Sequence, residues 1–328
     1  MEKQNDMLLQ VKDLRVYYTA GGEIINAVNG VDLEVRRGET LGLVGETGAG
    51  KTTIAKSIMR ILPDPPAKIG GGEIYLDGQE LLHLPEKKMQ EIRGKKISMI
   101  FQDPMTALNP VFTVGEQIEE VIMLHEKVNR GEAAVKARQM LELVGIPGDR
   151  SGDYPHQFSG GMKQRVVIAM ALACSPELIL ADEPTTALDV TIQAQILDMI
   201  KALKEKQNTS MILITHDLGV VAEVCDRVAV VYAGEIIEYG TKEEIFDYPT
   251  HPYTVGLFGS IPKIHEDVEW LDSIPGMPPN PADLPSRCHF HPRCSKCTQP
   301  CGEKAPEMIE VRPGHFVRCL NCTEKKES

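Results

Sequence analysis

One glycine-rich segment of the chain has the residue types and spacing that phosphate binding requires. It reads Gly45-Glu46-Thr47-Gly48-Ala49-Gly50-Lys51-Thr52 and is followed by Thr53. Glycines allow backbone N–H groups to close around phosphate oxygens, where a Cβ would block the approach. The Lys51 ammonium can reach the outer phosphates, and the Thr52 hydroxyl can ligate Mg²⁺ at the N-terminus of a following helix. Residues 45–53 are therefore the predicted binding loop for ATP and its Mg²⁺.

A second group of candidates follows strand-like segments farther along the chain. Asp182 and Glu183 come directly after the apolar run Leu178-Ile179-Leu180-Ala181. Asp182 is suited to hold Mg²⁺ through its water shell, and Glu183 could polarise the attacking water. His216 follows the next strand and could contact the γ-phosphate or that water. Gln102 follows a further strand and could sense both Mg²⁺ and water, so these residues and Lys51 form the predicted catalytic and Mg²⁺ set.

Buried strands and one helix are predicted to position these candidates. The apolar run Thr40-Leu41-Gly42-Leu43-Val44 leads directly into the glycine-rich segment. A helix is expected to begin near Gly50 and to end before Pro63, with Ile54, Ile58 and Ile61 on one face. Further strand-like runs lie at residues 97–101, 178–181 and 211–215, and an amphipathic helix separates the last two. Strands that alternate with helices indicate an α/β protein with a mostly parallel sheet.

The hydrophobic periodicity also predicts how the chain is divided. Helical spacing dominates after residue 113, which predicts an all-helical subdomain, at about residues 103–175, inserted into the α/β core. From about Pro249 the chain becomes rich in proline and loses its periodicity. We therefore expect a nucleotide-binding domain over residues 1–250 and a loop-rich extension over residues 251–328.

Composition and charge exclude several classes of protein. The chain has 328 residues and a formal net charge of −12, which argues against broad binding to nucleic acid. No apolar run approaches the roughly 18 residues of a membrane span. The first residues, Met1-Glu2-Lys3-Gln4-Asn5-Asp6, lack the pattern of a secretory signal. These features predict a cytoplasmic protein with no nucleic-acid partner.

Five sequence elements, in a characteristic order and spacing, resemble those of the ATP-binding cassette (ABC) ATPases over about residues 7–250. They are residues 45–52, Gln102, Phe158-Ser159-Gly160-Gly161-Met162, Asp182-Glu183 with Ala187-Leu188-Asp189 behind them, and His216. The resemblance implies a P-loop NTPase cassette with a β-rich N-terminal part, and ATP hydrolysis as its activity. It places Ser159, Gly160 and Gly161 over the γ-phosphate bound by an opposite subunit, so that two cassettes must face head to tail. It also places Tyr18 where an aromatic ring stacks on adenine, with Tyr17 as the alternative.

Two departures from the generic family signature point to one branch of the family. Phe158 and Met162 stand where the generic signature has Leu and Gln, and this form resembles the peptide and nickel importers. Other segments typical of that branch are residues 99–110, Lys163-Gln164-Arg165, His251-Pro252-Tyr253-Thr254 and the proline-rich extension. The resemblance is strongest to the D-type ATPase subunit of bacterial dipeptide and oligopeptide importers.

That resemblance implies a set of partners and a location. ATP would close the paired cassettes, and Gln102 and the helical subdomain would pass the motion to two membrane permease subunits. The second cassette could be identical or similar, and an extracytoplasmic solute-binding protein would take part indirectly. The chain would then lie on the cytoplasmic face of the membrane and import di- or oligopeptides. The alternatives are a nickel importer of the same branch and a soluble ABC ATPase that acts on nucleic acid or ribosomes.

Six of the eight cysteines crowd into the last 41 residues, at Cys288, Cys294, Cys297, Cys301, Cys319 and Cys322. A cytoplasmic chain keeps its thiols reduced, so this crowding favours a metal over disulfides. The resembled branch implies Cys288, Cys294, Cys301 and Cys319 as ligands of a [4Fe–4S] cluster. Structural zinc is the alternative, including a ribbon formed by the two CxxC pairs, because four thiolates suit either group.

Overall fold

The computed structural model describes residues 6–185, 189–260 and 274–322. Within these ranges the strands are β1 (Met7–Ala20), β2 (Glu23–Arg36), β3 (Thr40–Val44), β4 (Ala67–Leu76), β5 (Gln79–Glu80), β6 (Ile97–Ile100), β7 (Leu178–Asp182), β8 (Ser210–Ile214), β9 (Arg227–Tyr232), β10 (Glu235–Thr241), β11 (Ile309–Arg312) and β12 (His315–Val317). The α-helices are α1 (Lys51–Met59), α2 (Glu86–Ile92), α3 (Pro104–Ala107), α4 (Val114–His125), α5 (Arg130–Leu143), α6 (Gly160–Leu172), α7 (Val190–Gln207), α8 (Leu218–Val224), α9 (Lys242–Asp247) and α10 (Pro252–Gly259).

The chain forms two compact units. The first consists of Met1–Leu8, Val35–Thr40 and His83–Ile214, and the second of Leu9–Glu34, Leu41–Leu82 and Thr215–Ser328. Both contain parallel strand pairs, which confirms the predicted α/β class. The predicted domain boundary at residue 250 stays a prediction.

The first unit is built on three parallel strands in the order β6-β7-β8. Every residue of these strands is buried. Strands that are covered on both faces need continuous apolar sequence, and β7 and β8 are rich in Leu and Ile. The strands predicted near residues 97–101, 178–181 and 211–215 are therefore confirmed. Because β6 and β7 run in the same direction, the residues that follow them leave the sheet at the same edge.

The middle of the first unit is helical, as its periodicity predicts. Helices α4 and α5 each begin with a capping box, in which Thr113 pairs with Glu116 and Asn129 pairs with Glu132. Each box satisfies two backbone N–H donors at the start of the helix. The buried side chains recur at helical spacing, namely Val114, Ile118 and Ile122 on α4 and Ala133, Ala137 and Leu141 on α5. The apolar faces of the two helices thus explain why this segment is α-helical.

The second unit contains two sheets. An antiparallel sheet has the order β2-β1-β4-β5, and a further set of strands has the order β3-β9-β10-β12-β11. Strand β3 pairs in parallel with β9 and is buried along its whole length. It leads directly into residues 45–50 and helix α1. This helix ends at Met59 because Arg60 adopts a left-handed conformation, with φ of 51°, so the expectation that Ile61 belongs to it is wrong.

The C-terminal extension has more regular structure than its sequence predicts. Helix α10 follows directly after His251, and β11 and β12 form a hairpin whose second strand pairs antiparallel with β10. The prediction of a loop-rich segment therefore fails at its end, because a hairpin added to a sheet edge needs no long apolar run. Within the described ranges, no helix is both long enough and apolar enough to cross a membrane.

Candidate functional site

The glycine-rich segment forms a tight loop between β3 and α1. Gly45 and Gly50 have φ angles of 148° and 104°, which side chains rarely permit. An added Cβ would meet the Val231 carbonyl oxygen at the first position and the Ala27 carbonyl oxygen at the second. Only glycine fits both places, and helix α1 begins directly after the loop, at Lys51. Residues 45–53 therefore adopt the strand, loop and helix arrangement that the sequence predicts, with backbone N–H groups at the start of a helix.

Lys51 is held over its own loop. Its ammonium donates hydrogen bonds to the carbonyl oxygens of Gly45, at 2.7 Å, and of Glu46, at 2.9 Å. The side chain is 7% exposed, so its positive charge lies in a place of low dielectric constant. An anion that enters this loop would meet a cation that is already oriented.

Tyr18 reaches the start of α1. Its hydroxyl lies 3.2 Å from the Thr53 hydroxyl. The Tyr17 ring instead lies beside Gly70 of β4, where an added Cβ would stand 3.1 Å from the ring. The geometry therefore brings Tyr18, and not Tyr17, to helix α1. Stacking on adenine stays a prediction.

The Glu46 carboxylate forms an ion pair that the sequence does not predict. Its two oxygens accept hydrogen bonds from the Arg293 guanidinium at 2.9 and 3.0 Å. The Glu46 backbone N–H donates to the Tyr253 hydroxyl at 2.9 Å. Both partners belong to the C-terminal extension. Tyr253 lies in the segment 251–254, which resembles the importer branch, whereas no motif in the sequence singles out Arg293.

Gln102 and Glu183 meet in the first unit. The Gln102 amide nitrogen donates to the Glu183 carboxylate at 2.7 Å. Glu183 has a φ of 47°, a left-handed conformation that costs a non-glycine residue about 1 kcal/mol. Its N–H donates to the Ile214 carbonyl oxygen at 2.8 Å, which ties this strained residue to β8. Asp182, the last residue of β7, is buried just before it. The structure thus brings Gln102 against Glu183 at this sheet edge, a contact that the sequence does not predict. The roles predicted for Gln102 at Mg²⁺ and water, and for Glu183 at the attacking water, stay predictions.

The signature segment begins helix α6. The Ser159 hydroxyl accepts the Met162 N–H at 3.4 Å and so caps the helix, while Ser159 and Gly160 are exposed. Phe158 is buried beneath the Arg150 guanidinium, 4.3 Å from the ring centre. The Met162 sulfur also lies near that guanidinium, at 3.7 Å. The two residues that distinguish this branch therefore pack around one arginine, and the helix N-terminus faces solvent.

His216 and the residues behind Glu183 complete the predicted set. His216 is exposed, and Asp217 after it caps α8 by accepting the N–H groups of Gly219 and Val220. The predicted contact of His216 with phosphate or water stays a prediction, as does the Mg²⁺ role of Asp182 and Thr52. Ala187 and Leu188 lie outside the described residues.

The structure gives no support to the metal centre that is predicted at the cysteines. Among residues 6–185, 189–260 and 274–322, no group of three or more His, Cys, Asp and Glu side chains is arranged to hold a metal ion. The arrangement of the described side chains therefore gives no support to the [4Fe–4S] cluster or zinc predicted at Cys288, Cys294, Cys301 and Cys319.

Comparison with known proteins gives two family matches and close relatives. Residues 28–186 match the family described as ABC transporter, and residues 237–301 match the oligopeptide/dipeptide transporter C-terminal region. The oligopeptide transport ATP-binding protein OppD of Bacillus subtilis is 52% identical over 95% of the chain and 88% of that protein. OppD of Escherichia coli is 47% identical over 99% of the chain and 96% of that protein.

Solved structures similar to this chain are also ABC transporter cassettes, at lower sequence identity. The ABC cassette MJ0796, in a dimeric post-hydrolysis state with ADP and phosphate, is 30% identical with a TM-score of 0.65. The match covers 72% of this chain and 99% of that one. CbiO1 from Clostridium perfringens, part of the cbiONQ transporter complex, has a TM-score of 0.63 at 27% identity, over 77% of this chain and 96% of that one.

Proposed function

We infer that the chain binds and hydrolyses ATP to power peptide import. It belongs to the ABC transporter ATP-binding proteins and to their dipeptide and oligopeptide importer branch. The observation that carries this inference is the loop at residues 45–50. Two glycine positions exclude any side chain, and Lys51 begins the helix behind them. Such a loop binds phosphate through backbone N–H groups, the helix dipole and one lysine.

The loop residues have distinct roles in the proposed reaction. Lys51 would stabilise the charge on the outer phosphates, and Thr52 and Asp182 would serve Mg²⁺, which neutralises charge on the phosphate oxygens when bound. Tyr18 would stack on adenine. Because Lys51 is buried and already oriented, it would contribute to phosphate binding without a large reorganisation of its side chain.

Glu183 is the proposed base. Water attacks the γ-phosphorus, the bond to the β-phosphate oxygen breaks, and the Glu183 carboxylate takes up the proton of that water. The hydrogen bond from Gln102 restricts the orientation of this carboxylate, and the bond from the Glu183 N–H to Ile214 restricts its backbone. His216 is the proposed second contact of the γ-phosphate or of the attacking water.

The exposed start of α6 supports an assembly of two cassettes. Ser159, Gly160 and Gly161 would close over the γ-phosphate held by a second subunit, whose own signature would close over this loop. MJ0796, described as dimeric, provides a precedent among the similar structures. The second cassette is identical or similar, and two permease subunits would hold the pair at the cytoplasmic face of the membrane. A solute-binding protein would deliver the peptide, and no nucleic acid would take part.

The domain division and the metal are further proposals. We propose a cassette over residues 1–250, with the helical subdomain at about 103–175, and an extension over residues 251–328. A metal in that extension is proposed from the sequence alone, in which six cysteines crowd together, with [4Fe–4S] favoured by resemblance and zinc as the alternative. The arrangement of the described side chains adds no support to it. Metal content of anaerobically purified protein, compared with a Cys294→Ser variant, tests this. Equal metal content in both proteins, or none in either, would contradict the ligand set.

Reconstitution of the complete transporter tests the proposed function. The chain is purified with its membrane subunits, placed in liposomes and supplied with binding protein loaded with a labelled peptide or with Ni²⁺. We expect ATP-dependent accumulation of peptide and none of Ni²⁺, and a Lys51→Ala chain serves as the inactive control. ATP-driven uptake of Ni²⁺ but not of peptide would show that the chain serves a nickel importer instead. Peptide uptake that the Lys51→Ala chain sustains would refute the role of the loop.

A further inference from the structure

An ion pair joins the phosphate loop to the C-terminal extension. Arg293 is 247 positions from Glu46 in the chain, yet its two terminal nitrogens donate to the two carboxylate oxygens of Glu46 at 2.9 and 3.0 Å. This fork-to-fork geometry restricts both distance and orientation, because two parallel hydrogen bonds must be kept together. Glu46 lies directly after Gly45, inside the predicted phosphate-binding segment.

The Arg293 side chain is held by more than this one pair. Only 5% of it is exposed, against 27% of the Glu46 side chain. Its Nε donates to the Pro275 carbonyl oxygen at 2.9 Å, and one terminal nitrogen also donates to the Tyr232 hydroxyl at 3.3 Å. A buried guanidinium needs such partners, because an uncompensated charge away from water is strongly unfavourable. The guanidinium is therefore also held by groups outside the loop.

A second contact from the extension reaches the same loop residue. The Tyr253 hydroxyl, 2.9 Å from the Glu46 nitrogen, accepts its N–H. The Tyr253 ring is fully buried and packs against Tyr232 and Phe290, with ring centres 4.7 and 5.5 Å away. Phe290 lies three residues before Arg293, so one aromatic cluster supports both groups. Glu46 is thus held through its side chain and through its backbone.

We propose that Arg293 and Tyr253 are positioning residues of the phosphate loop, which hold residues 45–50 in the conformation that binds the phosphates of ATP. The proposal rests on the proposed ATP-binding function and deepens it. Neither residue needs to touch the nucleotide, because each acts through Glu46. The cysteine-rich extension thereby contributes to nucleotide affinity, although its cysteines take no part in this contact.

The physical effect is one of pre-organisation. The loop has three glycines at positions 45, 48 and 50, and glycine leaves the backbone many alternative conformations. If only a fraction of the molecules hold the loop in its binding conformation, the apparent dissociation constant rises by the inverse of that fraction. Loss of the Arg293 contact is therefore expected to weaken binding without removing any group that touches phosphate.

Nucleotide affinity of the full-length chain tests the proposal. A fluorescent ATP analogue with Mg²⁺ is titrated into wild type, Arg293→Gln, Arg293→Lys, Glu46→Gln and the double variant Glu46→Gln/Arg293→Gln. We expect Arg293→Gln to weaken binding about tenfold, as for a loop competent in about one molecule in ten. Arg293→Lys should recover part of the loss, since lysine keeps the charge but cannot form the fork. The double variant should bind no more weakly than the weaker single variant, because the two residues form one contact.

Matched variants separate positioning from general loss of structure. Arg312→Gln is the control, since Arg312 lies in the same extension and pairs at 3.4 Å with Glu244, away from the loop. It should bind nucleotide as wild type does. Tyr253→Phe removes one hydroxyl and keeps the buried ring, and a loss of about twofold to fivefold is expected for one neutral hydrogen bond. In the assembled transporter, the KM for ATP should rise while kcat changes little.

Three results would overturn the proposal. They are wild-type affinity in Arg293→Gln, additive losses in the double variant, and an equal loss in the Arg312→Gln control. If Arg293→Gln does not fold, Tyr253→Phe and Glu46→Gln decide the matter, and wild-type affinity in both refutes it. Lys51→Ala distinguishes this failure from that of the proposed function. If Lys51→Ala binds nucleotide as wild type does, the ATP site itself is refuted. If Lys51→Ala loses binding and the Arg293, Glu46 and Tyr253 variants keep it, only the positioning role is refuted.

Discussion

Two helices begin at predicted phosphate sites, and they begin in different ways. Helix α1 follows Gly50, has no side-chain cap and brings its own buried cation at Lys51. Helix α6 is capped by the Ser159 hydroxyl and starts with two glycines at a solvent-facing end. The first site has a cation and a loop held by contacts of this chain, whereas no lysine or arginine stands among residues 158–162 of the second. This difference fits two kinds of half-site. The loop before α1 would bind ATP without a second cassette, whereas the start of α6 would act only on ATP that a second cassette has bound.

Loss of Lys51 should have the largest effect, because it removes the cation of the first site. Lys51→Ala is expected to weaken nucleotide binding in the isolated chain and to lower hydrolysis in the transporter on the order of 1,000-fold. Titration with a fluorescent ATP analogue and a phosphate-release assay measure the two effects. Turnover near the wild-type value would mean that the loop is not the phosphate site.

Loss of the Glu183 charge should separate chemistry from binding. Glu183→Gln keeps the size of the side chain but removes the proposed base, so hydrolysis should fall by about 100-fold to 1,000-fold while affinity for MgATP holds. Phosphate release and nucleotide titration are measured on the same preparation. If Glu183→Gln still hydrolyses ATP, another residue must be the base, and His216 is the next candidate.

Loss of the Ser159 hydroxyl tests the second helix. Ser159→Ala should leave nucleotide affinity of the isolated chain unchanged, because this end of α6 would serve a nucleotide bound by the partner. Hydrolysis in the assembled transporter should fall about fivefold to tenfold, in line with the loss of a helix cap and one contact with phosphate. Reduced nucleotide affinity in the isolated chain would break the distinction between the two sites.

The smallest effect at neutral pH is expected at His251, next to the loop contact of Tyr253. Burial lowers the pKa of His251 to about 4, although the charge of Glu238 opposes this. The unfolded chain takes up a proton near its usual pKa of about 6.5 and the folded chain does not, so folding stability falls as the pH drops from 6.5 towards 4. Between pH 7 and pH 5 we expect a loss of about 2 kcal/mol in the free energy of unfolding.

Urea unfolding at the two pH values measures this loss. The matched variant is His251→Asn, which keeps an oxygen able to accept the Tyr253 N–H that His251 now accepts at 3.0 Å but does not titrate. Its stability should depend less on pH by about the same amount. An unchanged pH dependence would show that other groups control acid stability.

Local patterns were sufficient to predict the elements that present the chemistry. The apolar run before residue 45, its glycines and Lys51 specify a strand, a loop and a helix, because each step depends on neighbouring residues alone. Asp182 and Glu183 could be placed at a sheet edge for the same reason. The hairpin β11 and β12 was missed, since its short strands carry little periodicity and gain their partner from β10. The metal centre rests on the crowding of the cysteines and on a family resemblance, and neither determines how the thiols are oriented.

The sequence by itself determined the family, the order of the motifs and the residues that can bind phosphate, because these depend on residue types and on short spacings. Only the tertiary structure decided that Gln102 donates to Glu183, that Phe158 and Met162 pack on Arg150, and that Arg293 holds the phosphate loop through Glu46. Such contacts join segments far apart in the chain. They form where packing brings charges and rings together, and no local sequence pattern encodes a contact between segments that are far apart in the chain.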